Sequence, residues 1–216
     1  MPGLGLDARA WSGVLTRLAG RGTVVPLPAM GRPADAGADL RVEAQAARLV
    51  ELLPGGGDDL VLVGHSASCS VVVEAARHTS VVRGLVLVGP TTDPAAATWP
   101  RIVLQWLRTA SHERLWEVRV LTPQYRATGL GSMARGMDQM RRYRTDVGLA
   151  PRSPQTRILR GAYDRIASER WCADLAGASA ASVTVVPGAG HMVPLTHPQA
   201  VVDAVHSLTD PGPTAR

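Results

Sequence analysis

The chain has 216 residues, 45% hydrophobic and 19% charged, a balance typical of one globular domain and unlike that of a disordered or fibrous chain. The chain has only two cysteines and no Cys/His cluster, so we expect no disulfides and no metal. It has no phosphate-binding loop and no apolar run near membrane length, so we expect a cytoplasmic protein without a cofactor or membrane contact. The net charge of +5 comes from arginine alone, and the chain lacks lysine, asparagine and phenylalanine; this indicates the codon bias of a GC-rich bacterial genome, and with no nucleic-acid-binding motif present we expect no nucleic-acid partner.

Short apolar runs that end in glycine or turn residues predict the strands of a parallel sheet buried on both faces. In chain order these runs are 59–64, 84–89, 157–161 and 182–187, and 22–26 is a weaker candidate. Apolar residues at helical spacing alternate with them over 7–19, 40–53, 66–77, 168–176 and 197–208. Strands alternating with helices predict an α/β fold, with a mostly parallel sheet and helices on both faces.

Residues 95–150, which we term the helical insertion, interrupt this alternation. The sequence of this insertion predicts two or three helices and no strand. The insertion contains nine arginines and four acidic residues, so it carries the whole net charge of the chain. We therefore predict a core of residues 1–94 and 151–216 and a separate helical unit of residues 95–150.

The arginines of the insertion allow two interpretations. They form a solvated surface, or one or two of them point inward and recognise an anionic group of a substrate. The candidates for the second role share helical stretches with methionines that would face a pocket. They are Arg135, Arg141 and Arg142, beside Met133, Met137 and Met140.

The sequence Gly64-His65-Ser66-Ala67-Ser68 follows a predicted strand and opens a helix. It matches the pattern G-x-S-x-G except at its last position, which is Ser68. On such a turn a strained backbone projects the serine hydroxyl above the sheet and directs the next N–H at a developing oxyanion. Ser66 is therefore the candidate nucleophile, and an ordinary strand-to-helix turn is the alternative.

A serine nucleophile needs a general base, and the base needs a carboxylate that fixes its tautomer. His191 lies in a glycine-rich loop after the last predicted strand and is the candidate base. Two aspartates follow predicted strands. Asp164 follows 157–161 and is the candidate acid, and Asp93 follows 84–89 and is the alternative acid.

With Ser66, Asp164 and His191 in this order, the chain resembles the α/β-hydrolase family from residue 2 to about residue 208. The segments that carry the resemblance are Gly64-His65-Ser66, Gly161-x-x-Asp164, Gly190-His191 and the loop 2–7. The resemblance implies a Ser-His-Asp triad, with the backbone N–H groups of Leu4 and Ala67 as the oxyanion hole. It also implies that the helical insertion is a cap over the site. The side chains expected in the substrate pocket are His65, Trp106, Met133, Met137 and Met192.

The same resemblance implies a serine hydrolase that acts on a small carboxylic ester through an acyl-enzyme. Carbon–carbon bond hydrolysis, thioester hydrolysis and cofactor-free perhydrolysis use the same triad and stay open. So does a non-catalytic relative that binds a small ligand under its cap. Family members have two or three strands before the loop that corresponds to residues 2–7. We therefore expect either an upstream start or a sheet without one central strand, whose exposed edge would promote a homo-oligomer.

Overall fold

The computed structural model describes residues 1–54, 59–110, 114–149 and 153–209. Its strands are β1 (Leu27–Pro28), β2 (Gly31–Arg32), β3 (Leu60–His65), β4 (Val82–Val88), β5 (Gln155–Gly161) and β6 (Ser182–Val186). The first two pair only with each other, and the other four form a parallel sheet in the order β3-β4-β5-β6. This sheet, with helices between its strands, confirms the predicted α/β fold.

Ten α-helices accompany these strands in the described residues. They are α1 (Ser12–Arg17), α2 (Val42–Glu51), α3 (Ser68–Ala76), α4 (Trp99–Ala110), α5 (Leu115–Thr128), α6 (Leu130–Met140), α7 (Thr145–Gly148), α8 (Glu169–Ser179), α9 (Val193–Thr196) and α10 (Pro198–Thr209). Short 3-10 helices cover Ala8–Trp11 and Pro94–Ala96. None of the helices in these ranges is both long and apolar enough to cross a membrane.

Alternate residues of β4 enter two hydrophobic cores, one on each face of the sheet. Leu85 and Leu87 belong to the first core, which contains residues of α2, α3 and α8. Val86 and Val88 belong to the second, which contains residues of α1, α9 and α10. All four side chains are fully buried. The continuous apolar run in the sequence thus reflects a strand covered on both faces.

The strand predicted at 22–26 is wrong. These residues form no strand, and β1 begins only at Leu27. Pro26 and Pro28 lack the N–H group that a strand interior needs to donate, which explains why no longer ladder forms here.

Four helices, α4 to α7, lie between the end of β4 and the start of β5. The described part of the insertion contains no strand. The boundary that we predicted at residues 150 and 151 lies outside the described residues.

The strand that leads to Ser66 has a strand neighbour on one side only within the described residues, because β3 pairs with β4 alone. The first residue lies against its other side. The backbone nitrogen of Met1 donates to the carbonyl of Val63, and this contact places the loop 2–7 above the carboxyl end of the sheet.

Candidate active site

Ser66 occupies a strained turn between β3 and α3. Its φ is +57°, in the left-handed region that a residue with a side chain rarely adopts. The turn is tight because a Cβ at Gly64 would lie 2.8 Å from a methyl group of Val72 and 2.9 Å from the Cα of Cys69. The Ser66 N–H donates to Val88 O at 2.8 Å, which ties the turn to the end of the neighbouring strand.

Ser68, the departure from the G-x-S-x-G pattern, holds this turn through its hydroxyl. Its Oγ accepts the N–H of His65 at 2.8 Å. The same oxygen lies 2.9 Å from the carbonyl of His65 and 3.0 Å from that of Met1, so its one proton is donated to one of these two acceptors. The serine therefore links the turn to the first residue, which a glycine could not do.

The structure brings Asp164 to His191. Asp164 Oδ2 lies 2.7 Å from His191 Nδ1, and the side chains are 0% and 9% exposed respectively. Because the carboxylate can only accept, Nδ1 carries the proton and Nε2 is the basic nitrogen of the neutral ring. Ser66 and His191 line the same cavity. This arrangement has the geometry expected of the acid and base of a catalytic triad.

The second carboxylate oxygen of Asp164 is also occupied. Oδ1 accepts the backbone N–H groups of Ile166 at 2.8 Å and Ala167 at 3.0 Å. Burial by itself raises the pKa of this carboxyl, but the charge and hydrogen bond of His191 and the two backbone donors outweigh burial and lower the pKa. Asp164 is therefore ionised at neutral pH and can stabilise an imidazolium.

The loop that carries Asp164 is held by Arg160, which sequence reasoning missed. Arg160 is 7% exposed; its Nε donates to Ala167 O at 2.8 Å and its Nη2 to Asp164 O at 3.3 Å. The available signal was a charged residue directly before Gly161 in an otherwise buried strand end.

His65 is a second histidine next to the base. It is 1% exposed, its ring centroid lies 4.9 Å from that of His191, and its Nε2 donates to the backbone carbonyl of His191 at 3.0 Å. Burial, followed by the neighbouring His191, lowers the pKa of His65 to about 3, so the ring is neutral at neutral pH. A neutral donor here fixes the backbone of the base without adding a charge beside it.

The two predicted oxyanion donors have N–H groups that donate to no protein acceptor within the described residues. Ala67 directly follows Ser66 and is fully buried. Leu4 lies in a loop fixed by the hydrogen bond from Gly5 N–H to Ala29 O at 2.9 Å. A Cβ at Gly3 would lie 3.0 Å from the Cβ of Ser66, so this loop passes directly beside the serine. Both amides are thus available to an oxyanion.

Ser66 and His191 open into a cavity of about 260 Å³ between the sheet and the helical insertion. All five side chains expected in the pocket lie on its wall. They are His65, Trp106, Met133, Met137 and Met192. The wall is largely apolar and includes Leu4, Leu6 and Ile102.

The alternative acid, Asp93, also lines this cavity but makes different contacts. Its Oδ1 accepts the Ala95 N–H at 2.8 Å and so caps the 3-10 helix that follows. Its Oδ2 lies 3.4 Å from Ser168 Oγ. The carboxylate in contact with His191 is therefore that of Asp164.

The three candidate arginines of the insertion have different positions. Arg135 donates to the carbonyls of Ala34, Asp35 and Ala36, and Arg142 is exposed. Only Arg141 lies on the wall of the cavity.

Comparisons with known proteins agree with this fold. The model of the alpha/beta hydrolase family matches residues 1–204. A hydrolase from Oleispira antarctica superposes with a TM-score of 0.78 at 16% identity, covering 97% of this chain and 89% of that one. A thermophilic esterase superposes with a TM-score of 0.75 at 20% identity, covering 94% of this chain and 85% of that one. E-2-(acetamidomethylene)succinate hydrolase superposes with a TM-score of 0.72 at 18% identity, covering 97% of this chain and 89% of that one. The comparison with curated proteins gave no match.

Proposed function

The chain belongs to the alpha/beta hydrolase family, and on that basis we propose that it is a serine hydrolase that cleaves small carboxylic esters. The observation that carries the proposal is the buried Asp164–His191 pair, 2.7 Å apart, whose histidine lines the same cavity as a serine with a φ of +57°. The esterase and hydrolases among the structural neighbours support the same chemistry.

In the proposed reaction, Ser66 Oγ attacks the ester carbonyl carbon while His191 Nε2 accepts the hydroxyl proton. The carbonyl oxygen becomes an oxyanion, which the N–H groups of Leu4 and Ala67 stabilise. The intermediate collapses, the alcohol leaves with the proton from His191, and Ser66 holds the acyl group. Water then attacks the acyl-enzyme with His191 as base, and the carboxylic acid is released.

Asp164 contributes to both steps through its hydrogen bond with Nδ1 of His191. Its ionised carboxylate accepts the Nδ1 proton and stabilises the imidazolium that forms when His191 takes up the serine proton. His65 acts as a positioning residue, because its hydrogen bond to the carbonyl of His191 fixes the loop that carries the base.

Steady-state kinetics of single and combined variants test this proposal. With 4-nitrophenyl butyrate, Ser66→Ala, His191→Ala and Asp164→Asn should each lower kcat by about 10⁴–10⁶, and the double variants should lose little more because triad members act as a unit. Asp93→Asn is the matched control, since Asp93 caps a 3-10 helix, and its kcat should stay within about 10-fold of wild type.

Multiplicative losses in the double variants would contradict the triad, as would a severe loss in Asp93→Asn with a mild one in Asp164→Asn. The thioester of the same acyl group extends the measurement to the alternative chemistry. A kcat/KM for the thioester far above that for the ester would reassign the substrate class and leave the triad in place.

A further inference from the structure

The cavity beside Ser66 contains one permanently charged cation among its described lining residues. This cation is Arg141, which directly follows α6. Its side chain is 15% exposed, so the charge is mostly withdrawn from solvent. The rest of the wall is dominated by apolar groups such as Trp106, Met133 and Met137. A cation facing such a wall attracts an anion more strongly than one in open water.

Two of the three guanidinium nitrogens of Arg141 donate to protein acceptors. Its Nε donates to Asp138 Oδ1 at 3.0 Å and its Nη1 to Ala97 O at 2.8 Å. Asp138 is itself positioned by Trp99, whose Nε1 donates to the same Oδ1 at 3.1 Å. The Nη2 group donates to no protein acceptor within the described ranges. The fork is thus pre-oriented and keeps donors for a ligand.

The carboxylates of Asp138 and Asp93 could compete with a ligand for Arg141, and neither prevents Arg141 from binding an anion. Asp138 is 55% exposed, so its pairing with Arg141 is weakened by solvent. Asp93 lines the same cavity, but its Oδ1 caps a 3-10 helix through the Ala95 N–H. One acidic and one basic side chain on the wall favour a ligand with a single negative charge over a dianion.

We propose that the substrates of this site are esters that also carry one free carboxylate, and that Arg141 binds this carboxylate beneath the helical insertion. This inference rests on the proposed hydrolase function. The carboxylate accepts N–H bonds from the guanidinium, and the apolar wall packs on the carbon chain between the carboxylate and the ester. Arg141 is then a specificity-determining residue, whereas Ser66 and His191 carry out the chemical step.

Two matched ester pairs test the proposal and differ in where the carboxylate lies. The acyl pair is 4-nitrophenyl hydrogen glutarate and 4-nitrophenyl pentanoate, and the alcohol pair is 4-butyryloxybenzoate and phenyl butyrate. In each pair the measured quantity is the ratio of kcat/KM for the charged ester to that for the neutral one.

For at least one pair, Arg141→Gln should lower this ratio by roughly 10- to 100-fold, the usual effect of losing a hydrogen bond to a charged group. Hydrolysis of the neutral ester should stay within about 3-fold of wild type, because a neutral ester has no carboxylate for Arg141 to bind and Arg141 takes no part in the proposed proton transfers. Arg142→Gln removes an exposed neighbouring arginine and should leave both ratios unchanged. Arg141→Lys should give an intermediate ratio, because it keeps the charge and loses the planar fork.

A measurement on the wild-type protein covers the case in which Arg141→Gln does not fold. At least one of two monoanionic esters, monomethyl glutarate and 4-butyryloxybenzoate, should inhibit hydrolysis of 4-nitrophenyl pentanoate more strongly than its neutral analogue does. The neutral analogues are methyl pentanoate and phenyl butyrate respectively. If the neutral esters are hydrolysed and neither ratio changes in the folded variant, or neither monoanionic ester inhibits more strongly than its neutral analogue, the proposal is wrong and the hydrolase function stands. If none of the four esters is hydrolysed, the proposed function fails and this inference fails with it.

Discussion

His65 is an ionisable residue in a fully buried position. The ring is 1% exposed, and its Nδ1 has no hydrogen-bond partner in the described structure. A leucine or phenylalanine would fill the same space, but only a side chain with an N–H donor satisfies the buried carbonyl of His191. We therefore attribute the histidine to the orientation of the base, at a cost in stability under acid conditions.

That cost gives a pH dependence with a definite sign. Burial lowers the pKa of His65 to about 3 in the folded protein, from the ordinary value of 6.5 that applies to the unfolded chain. Between these values the unfolded state binds more protons, so stability falls as the pH falls, by at most about 1.4 kcal/mol per pH unit. His65→Gln keeps a donor for the His191 carbonyl and does not titrate.

Urea unfolding of wild type and His65→Gln at several pH values between about 4 and 7 measures the effect. The variant should lose less stability than wild type on acidification, and the gap should widen as the pH falls. Parallel stability curves for the two proteins would show that His65 is not the titrating group.

The loops after β5 and β6 meet so closely that a glycine is required. A Cβ at Gly161 would lie 2.0 Å from Gly190 O and 2.6 Å from Ala189 O. The first loop carries Asp164 and the second carries His191, so the contact at Gly161 sets the distance between acid and base.

Gly161→Ala should therefore move the His191 loop and lower both stability and turnover. We expect a loss of about 1–3 kcal/mol in the free energy of unfolding, typical of overpacking, and a fall in kcat of about 10²-fold from misplacement of the base. Gly177→Ala is the matched control, because a Cβ there meets nothing within 4 Å. It lies within α8 and should stabilise by about 0.5–1 kcal/mol.

Differential scanning calorimetry and ester hydrolysis measure the two effects. An active, fully stable Gly161→Ala protein would show that the two loops can separate without affecting the triad, and the role assigned to this contact would be wrong.

The sequence predicts those features that follow from strand order. Apolar runs locate the four long strands, and because parallel strands end at one edge, Ser66, Asp164 and His191 can be expected to converge there. Contacts between segments distant in the chain are not encoded in any local pattern. The hydrogen bonds from Arg160 to the loop that carries Asp164 could not be predicted. Nor could the fact that Arg141, and neither Arg135 nor Arg142, lines the cavity. Both depend on how the insertion and the loops pack.

The helical insertion is attached to the core by polar contacts between residues about one hundred positions apart in the sequence. Arg135 of α6 donates through Nη2 to the carbonyls of Ala34 and Asp35 at 2.8 and 3.0 Å. Gln139 Oε1 accepts the Leu40 N–H at 2.7 Å. These bonds hold α6, and with it the methionine wall of the cavity, over the loop 34–40.

Arg135→Ala should loosen the insertion and leave the sheet intact. We expect faster amide hydrogen exchange in α6, a higher KM for small esters and a change in Tm of only a few degrees, because the lost bonds are few and partly exposed. Arg142→Ala is the control for removal of one positive charge. Unchanged exchange in α6 of the Arg135 variant would show that apolar packing alone holds the insertion in place.

Ser66 is proposed to be an activated nucleophile, and covalent labelling tests this role most directly. A fluorophosphonate probe should add one phosphonyl group per molecule, located on Ser66 by peptide mass spectrometry. Ser66→Ala should abolish the adduct, and His191→Ala should slow its formation by several orders of magnitude because the base is lost. A protein that stays unmodified, or one whose adduct lies on another residue and survives Ser66→Ala, would contradict the account.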